Sequence, residues 1–424
     1  MYLSYRYVPS PHSIYSGYRK LAPGSWLELD CDTLSMKENV YWRLPDTDPE
    51  ADTKEIFEEI EGAVARHMIA DVPVKTFLSG GIDSSLITAL ASRQSRDLSS
   101  YAISVADSHR DESQEAKRVA HHLGLSLNVE LLDKKRFQDT FVRALGAYDE
   151  PLGDTSVVPT YVLCDHTVRH AKVALSGDGG DELFFGYHWH RKWWDCYRAG
   201  DRSMHTYRRL VYNAFEADEI ASLLGSEIYS ELSEHPLPLG GNECCEDVRS
   251  VDFTTYLLDD ILTKIDTASM AHSLEVRVPF LDYRLIERVM RLPLSRVFYD
   301  NRTKALLKDM STPWLPWETI NRGKQGFSIP SVSWLKGRSA WLRSCLMNGY
   351  LVNDGIFNKR ALKQILFQPQ HEERLWLLLS LEFWYASHYH PDALAIKEPG
   401  LMGDMAYCFQ ERLLWKYWQM TKKI

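Results

Sequence analysis

Apolar positions recur along this chain in two alternating rhythms. Residues 53–69 follow a helical period, and Val74–Leu78 is a short apolar run of the kind that forms a buried strand. The pattern then repeats. It predicts a helix over Asp83–Arg93, a strand over Ser100–Val105, a helix over Asp111–Leu123 opened by acids and stopped at Gly124, and a strand over Leu127–Leu132. Helices over about 134–147 and 157–170 follow, then the apolar strand Lys172–Leu175. Strands alternating with helices at this spacing predict an α/β fold built on a parallel sheet with helices on both faces. Ligands in such sheets bind beyond the carboxyl ends of the strands, so the turns that follow strands are where chemistry is expected.

The flanking regions have other textures. The first 45 residues are short aromatic and proline-broken pieces with the strand-like Ser25–Leu29; they read as a hairpin lead-in with too little apolar surface to fold alone. Beyond about residue 190 strand signals thin out, and residues 200–250 read as an irregular polar insertion. Helices are expected at 252–270 and 282–291 and dominate 355–424, so the C-terminal part is mainly helical. There is no repeat and no low-complexity tract.

Composition narrows the function classes. With 424 residues the chain can bury a sizeable core, and 45% hydrophobic and 25% charged residues are those of an ordinary globular protein. A formal net charge of −9 gives no general pull toward nucleic acid or an anionic membrane, and the basic pieces are short and scattered. No apolar run is long enough to span a bilayer, and the N-terminus does not begin a signal peptide, so the expectation is a soluble cytoplasmic protein. The seven cysteines form no CxxC pair and suggest neither a zinc site nor a disulfide framework. His121-His122 and His188-x-His190 have no third ligand spaced near them, so no histidine metal site is expected. Thirteen tryptophans read as core and subunit contact, with a homodimer among the assemblies left open.

Two turns carry the chemistry. The first, Ser79-Gly80-Gly81-Ile82-Asp83-Ser84, joins an apolar strand to a helix N-terminus, where unpaired N–H groups and the helix dipole suit phosphate. It has neither the GxxxxGK[ST] nor the GxGxxG spacing. Asp83 is out of place in an anion cradle unless a cation lies between carboxylate and phosphate, which implies Mg²⁺ bound to a nucleotide. The second turn, Ser176-Gly-Asp-Gly-Gly-Asp-Glu182, follows Val173–Leu175 and repeats that logic. If the two strands are neighbours, Asp83 and Asp181 face one cation from two sides.

The first turn resembles the pyrophosphate-binding loop of the ATP pyrophosphatases. Asp149-Glu150-Pro151, Asp154-x-Ser156, the Ser176 turn, Met270-Ala-His-Ser-Leu-Glu-Val-Arg-Val-Pro-Phe-Leu-Asp282 and Arg322-Gly-Lys-Gln-Gly-Phe-Ser-Ile-Pro330 occur in order with it. Together they resemble the synthetase domain of the glutamine-dependent asparagine synthetase family. The resemblance implies a connector over 1–50, an ATP-pyrophosphatase domain over 51–385 and a helical tail over 386–424. It implies ATP and Mg²⁺ as cofactors. Leu78 and Ile103 would hold adenine through backbone contacts; Ser79, Gly80, Gly81, Ser84 and Ser85 would cradle pyrophosphate; and Asp83 and Asp181 would bind Mg²⁺. Ser176, Gly177 and Asp178 would border the acyl group, and Lys324 would steady the pentacoordinate phosphorus. Glu275 and Arg277 stand where relatives keep a site-supporting acid and base, and a structural ion pair reads equally well there.

The implied reaction has two steps. A carboxylate attacks the α-phosphorus of ATP to give an acyl-adenylate and pyrophosphate, and ammonia then displaces AMP to leave an amide, with Asp178 the candidate proton acceptor. Aspartate to asparagine is the simplest form. Amidation of a sugar acid, closure of a peptide macrolactam and an inactive partner or relic are the alternatives. Asp178 is one methylene shorter than the glutamate many relatives carry, so it does not secure aspartate as the substrate. The front of the chain departs from the family pattern: Tyr2 follows Met1 and the first cysteine is Cys31, so the expectation is that this polypeptide does not hydrolyse glutamine by itself. Free ammonia, a separate glutaminase subunit or a truncated gene product are the readings this leaves.

Overall fold

The alternation expected between residues 53 and 175 is what the computed structural model contains. It describes residues 1–106, 111–212, 214–225, 228–229, 247–323, 334, 339–367 and 372–391. A short helix α1 (Tyr2–Tyr5) opens the chain, and β1 (Ser25–Leu29) pairs antiparallel with β2 (Met36–Val40) in a separate hairpin. Then come α2 (Ile56–His67), β3 (Val74–Phe77), α3 (Ile82–Ser92), β4 (Ser99–Val105), α4 (Ser113–Leu123), β5 (Ser126–Leu132), α5 (Lys134–Gly146), α6 (Val157–Val168) and β6 (Val173–Leu175). Among the described residues a last strand, β7 (Glu275–Arg277), completes a five-stranded sheet in the order β5-β4-β3-β6-β7, with every pair parallel.

The central strands are apolar runs because both their faces are covered. Tyr101, Ile103 and Val105 of β4 face a core shared with Phe137 and Phe141 of α5 and Val158 and Val162 of α6. Ala102, between them, faces the other way and packs with Ala116, Val119 and Ala120 of α4. On the β3–β6 side Val74, Val173 and Leu175 pack with Ile60 of α2 and Leu86 and Ile87 of α3. Strand order reverses between β3 and β6, because β4 and β5 extend the sheet on one side and β6 and β7 on the other. A sheet with that reversal opens a crevice at the carboxyl ends of the two strands. Both chemistry-bearing turns begin there.

Three regions differ from the sequence expectation. Tyr2, Leu3, Tyr5, Tyr7 and Val8 are buried in the same core as α5 and α6, and the Tyr2 hydroxyl donates to the Leu377 carbonyl at 3.0 Å. The lead-in is thus a wall of the domain core. The stretch read as an irregular insertion contains the helices Met204–Val211 and Ala217–Leu224. The first of these is capped by the Ser203 side chain, which accepts from Thr206 N–H, and buries Met204, Tyr207 and Val211 on one stripe. The helix expected over 252–270 breaks at Thr255, where a π-helical turn (Leu257–Leu262) separates the helices Val248–Thr254 and Thr263–Met270. The helical tail expected over 386–424 lies outside the described residues beyond residue 391, and the long helix Glu372–Tyr389 precedes it. No helix among the described residues is long and apolar enough to cross a membrane.

That helix is tied into the core by Trp376, fully buried, whose indole N–H donates to the Gly153 carbonyl at 3.0 Å. Trp376→Ala removes a large core side chain and strands that carbonyl, and is expected to cost about 3–5 kcal/mol of stability by urea denaturation. Glu382 on the same helix accepts from Tyr350 N–H at 2.6 Å and Leu351 N–H at 3.2 Å, and burial pushes its carboxyl up to about 7. The native carboxyl therefore keeps a proton that the unfolded chain loses near its ordinary value of 4.5, so this group's contribution falls as pH rises across that window. Glu382→Gln should flatten the decline, and its melting temperature relative to the native protein should be more favourable at about pH 8 than at about pH 5.

Candidate active site at the sheet switch point

The first turn is closed by its own polar groups. Leu78 N–H donates to the Tyr101 carbonyl at 2.9 Å, carrying the β3–β4 pairing one residue past the strand. Ser79 N–H donates to Ser84 Oγ at 3.2 Å, the two serine hydroxyls lie 3.0 Å apart, and Gly81 N–H donates to Ser79 Oγ at 3.2 Å. α3 starts at Ile82 with no side chain capping its first turn. Backbone donors at such an end are suited to an anion.

The second turn lies directly against the first. Ser176 N–H donates to the Arg277 carbonyl at 2.9 Å, and the Ser176 hydroxyl donates to Asp178 Oδ2 at 2.6 Å. A Cβ on Gly177 would sit 2.6 Å from Ser84 N, so only glycine lets the two turns touch. Into this junction, from the start of the helix Ala305–Ser311, comes Lys304. Its side chain is 5% exposed, its ammonium lies 2.6 Å from Asp181 Oδ1, and it donates to Asp83 Oδ2. Burial pulls the Lys304 pKa down, but the charges of Asp181 and Asp83 outweigh it and leave the pKa raised. The ammonium is therefore held charged between two carboxylates from turns that are about a hundred residues apart in sequence.

One cavity opens at this junction. Leu78, Ser79, Gly81, Asp83, Ser84 and Ile103 line it from the β3–β4 side. Ser176, Gly177, Asp178 and Asp181 line it from the second turn, and Lys264, Lys304, Lys308 and Arg322 add cations to its wall. Arg322 pairs at 3.2 Å with Glu112, a further residue of the lining. Burial and the neighbouring Lys304 and Arg302 charges lower the Lys308 pKa.

Three expected site residues are placed elsewhere. Ser85 is fully buried behind the turn, outside the lining, and its N–H is already donated to the Gly81 carbonyl at 3.0 Å. The first intrahelical bond has consumed that donor, while the Ser85 hydroxyl has no hydrogen-bond partner among the described residues. Gly80 is also outside the lining. Its φ of +78° and a would-be Cβ 2.6 Å from Ala116 N show that it is glycine for the turn and for close passage of α4. Glu275 stands on edge strand β7 with its side chain 57% exposed, outside the cavity lining, and pairs with Arg277 at 2.6 Å. Arg277 is held in turn by the carbonyls of His67 and Ile69, so the pair buttresses the sheet edge. Lys324 lies outside the described residues.

Lys304 is the residue that sequence reasoning missed. Its partners are more than 120 residues away and no local pattern marks it. Lys264 had a signal, a lysine set into the apolar run Ile261-Leu262-Thr263-Lys264-Ile265. Among the described residues no group of three His, Cys, Asp or Glu could hold a metal. Asp83 and Asp181 nevertheless bring two hard oxygen donors to one cation position, and such a pair fits Mg²⁺ when phosphate oxygens complete its shell.

The family model described as asparagine synthase matches residues 55–386, most of the chain and both turns. The chain belongs to the asparagine synthase family. It is 26% identical to glutamine-hydrolyzing asparagine synthetase 1 of Bacillus subtilis, over 93% of this chain and 70% of that protein. It is 31% identical to a putative glutamine-hydrolyzing asparagine synthetase 2 of Methanocaldococcus jannaschii, over 66% of this chain and 62% of that protein. It is also 24% identical to the amidase chry2 of Gibberella zeae, over 77% of this chain and 60% of that protein. The chain thus spans about 60–70% of the length of these relatives.

Removing the cation at the junction leaves two carboxylates buried side by side. Lys304→Met is expected to cost about 3–5 kcal/mol by urea denaturation at neutral pH, and adding Asp83→Asn should recover part of that loss.

Proposed function

We propose that this chain is an ATP-dependent, AMP-forming amide ligase that activates a carboxylate and transfers ammonia to it, in its simplest form aspartate to asparagine. One observation carries the reading: two carboxylates, one buried lysine and the uncapped start of α3 meet in one cavity at the switch point of a parallel sheet. A structural ion-pair cluster needs neither the glycine turns nor the helix N-terminus. A triphosphate needs all of them.

In this reading adenine lies against Leu78 and Ile103, and the leaving pyrophosphate is received by Ser79, Gly81, Ser84 and the first N–H groups of α3. Asp83 and Asp181 would hold Mg²⁺, which when bound neutralises phosphate charge. Lys304 and Lys308 supply fixed positive charge at the same end, and Lys324 is assigned to the charge that develops on the α-phosphorus. A carboxylate oxygen of the substrate attacks that phosphorus and the bond to pyrophosphate breaks. Ammonia then attacks the acyl carbon, AMP leaves with the carbon–oxygen bond pair, and the surplus proton passes to Asp178. The Ser176 hydroxyl occupies Asp178 Oδ2 and orients the carboxylate, leaving Oδ1 for that proton. Glu275 has no part in these steps and acts with Arg277 on the sheet edge.

The test is product analysis with ATP, Mg²⁺, aspartate and either ammonia or glutamine. AMP, pyrophosphate and asparagine formed in equal amounts with ammonia are the expected products. ADP and phosphate, or no pyrophosphate with any carboxylate, would overturn the reading. Asp83→Asn is expected to lower pyrophosphate release by about 100-fold or more with the melting temperature nearly unchanged, as loss of a preorganised electrostatic group does.

A further inference from the structure

A second ion contact joins two elements of the cavity wall, and the activation steps do not use it. Glu112 stands at the start of α4, and Arg322 follows directly on the helix Trp317–Asn321. Arg322 Nη2 lies 3.2 Å from Glu112 Oε1. Both side chains line the cavity, yet they are only 16% and 13% exposed.

The backbone fixes both ends of this contact. The Glu112 carbonyl accepts the Ala116 N–H at 3.0 Å, while its side chain makes no capping bond to α4 and reaches away from that helix to Arg322. Asp111 beside it is pinned to the end of β4, since its carboxylate accepts the Val105 N–H at 3.1 Å, the Ser104 hydroxyl at 3.2 Å and the Ser113 hydroxyl at 2.8 Å. The first turn of α4 presses on the glycine turn, because a Cβ on Gly80 would lie 2.5 Å from Glu115 Cβ. Glu112 is thus referenced to the Ser79–Gly81 turn, the end of the cavity assigned to pyrophosphate. On the other side, buried Thr319 and Ile320 seat the short helix that delivers Arg322.

Arg322 differs in kind from the lysines of the same cavity. Burial and the nearby Lys304 and Arg302 charges lower the Lys308 pKa, and Lys304 is held between two carboxylates. A guanidinium keeps its proton in such settings, presents a planar fork that matches phosphate oxygens, and has donors enough to serve a carboxylate and a phosphate together. A largely buried ion pair is weak evidence for stability in its own right. What Glu112 does supply is aim, because a long side chain at a cavity wall is otherwise spread over many rotamers.

We propose that Arg322 is a further charge-stabilising residue of the activation step and that Glu112 is its positioning residue, holding the guanidinium at the pyrophosphate end of the cavity. The assignment rests on the amide-ligase reading above. As the substrate carboxylate bonds to the α-phosphorus, the bond from phosphorus to the bridging oxygen breaks and its electron pair leaves with pyrophosphate. The departing group gathers negative charge that the bound triphosphate does not yet carry there. A guanidinium already in place meets that gain without reorganisation, so its effect falls on kcat more than on ATP affinity.

The experiment measures pyrophosphate release from Mg-ATP with aspartate and ammonia, and with any other acid the native protein activates faster. ATP affinity is read by calorimetry and folding by melting temperature. Arg322→Gln is expected to lower kcat about 100-fold and Glu112→Gln about 10-fold, with ATP affinity within about threefold of native in both. Arg322→Lys keeps the charge and loses the fork, so its kcat should fall between Arg322→Gln and the native protein. Because Glu112 acts through Arg322, the double variant Glu112→Gln/Arg322→Gln should be no slower than Arg322→Gln alone. A double variant slowed by the product of the two single losses overturns the positioning role of Glu112. A folded Arg322→Gln with native kcat, or with its loss confined to ATP affinity, overturns the assignment of Arg322. Should Arg322→Gln fail to fold, Arg322→Lys decides: a kcat lowered about 10-fold at native ATP affinity supports the assignment, and a native kcat overturns it. A native protein that releases no pyrophosphate with any acid refutes the ligase reading itself, and the Arg322 assignment falls with it.

Discussion

Lys304 between Asp83 and Asp181 is the contact around which the two halves of this molecule are assembled. The carboxylates sit on turns at the ends of neighbouring strands, and the sheet order alone would press like charges together. The turns touch closely enough that Gly177 has no room for a side chain beside Ser84. Only a cation at the junction makes that approach tolerable. Lys304 reaches it from the helical segment that follows β7, so this ion contact joins the helical C-terminal part to the sheet at the very point where the cavity opens. Burying three charges has a desolvation cost that a hydrophobic cluster would avoid. A fold that keeps them there is arranged for something other than stability.

The same junction shows how an ammonium and a divalent cation relate to one pair of carboxylates. Lys304 makes two contacts, one to each carboxylate, and further negative charge brought to this junction unbalances it. A phosphate ligand would worsen the imbalance unless it arrives with its own positive charge. That requirement is physical and independent of family: an acid pair beside an anion-binding turn selects for anions that come with a metal. With a metal there, Lys304 would contribute fixed charge beside it, in the way a rigid cation in a dry site costs no reorganisation when charge shifts.

Much of this was legible in the amino-acid order because it is local. Strands buried on both faces are unbroken apolar runs, and glycine-rich turns with acids announce themselves within eight residues, so β3 to β6 and both turns were expected where they occur. What is non-local was not legible. Lys304 is an ordinary lysine until a partner 221 residues away in sequence, Asp83, is brought to it, and Glu112–Arg322 has the same character. Close passage of α4 is a further reason for glycine at position 80, and the Ser85 N–H is already donated to the Gly81 carbonyl, neither of which a local pattern shows. The π-turn at Leu257–Leu262 left no trace in composition, because one extra residue in a helical turn changes geometry without changing the apolar pattern.

That π-turn bears on how the cavity is divided. Asp259 at its start accepts from Ser10 N–H and from the Ser10 hydroxyl, both at 2.7 Å, while Asp260 and Lys264 follow on the inner side. The insertion rotates the helix that follows it relative to the one before, which lets neighbouring acids serve opposite surfaces: one ties down the N-terminal segment and the other stays buried beside Asp154. One wall of the cavity is built from turns on the sheet, where strand order dictates position. The opposite wall is lined from α6, the π-turn and the helix after it, where a shift of one residue changes which side chain faces in. Substitutions on these helices can therefore reshape that wall without disturbing the turns at the sheet, and Lys264 sits on the element that carries the shift into the cavity.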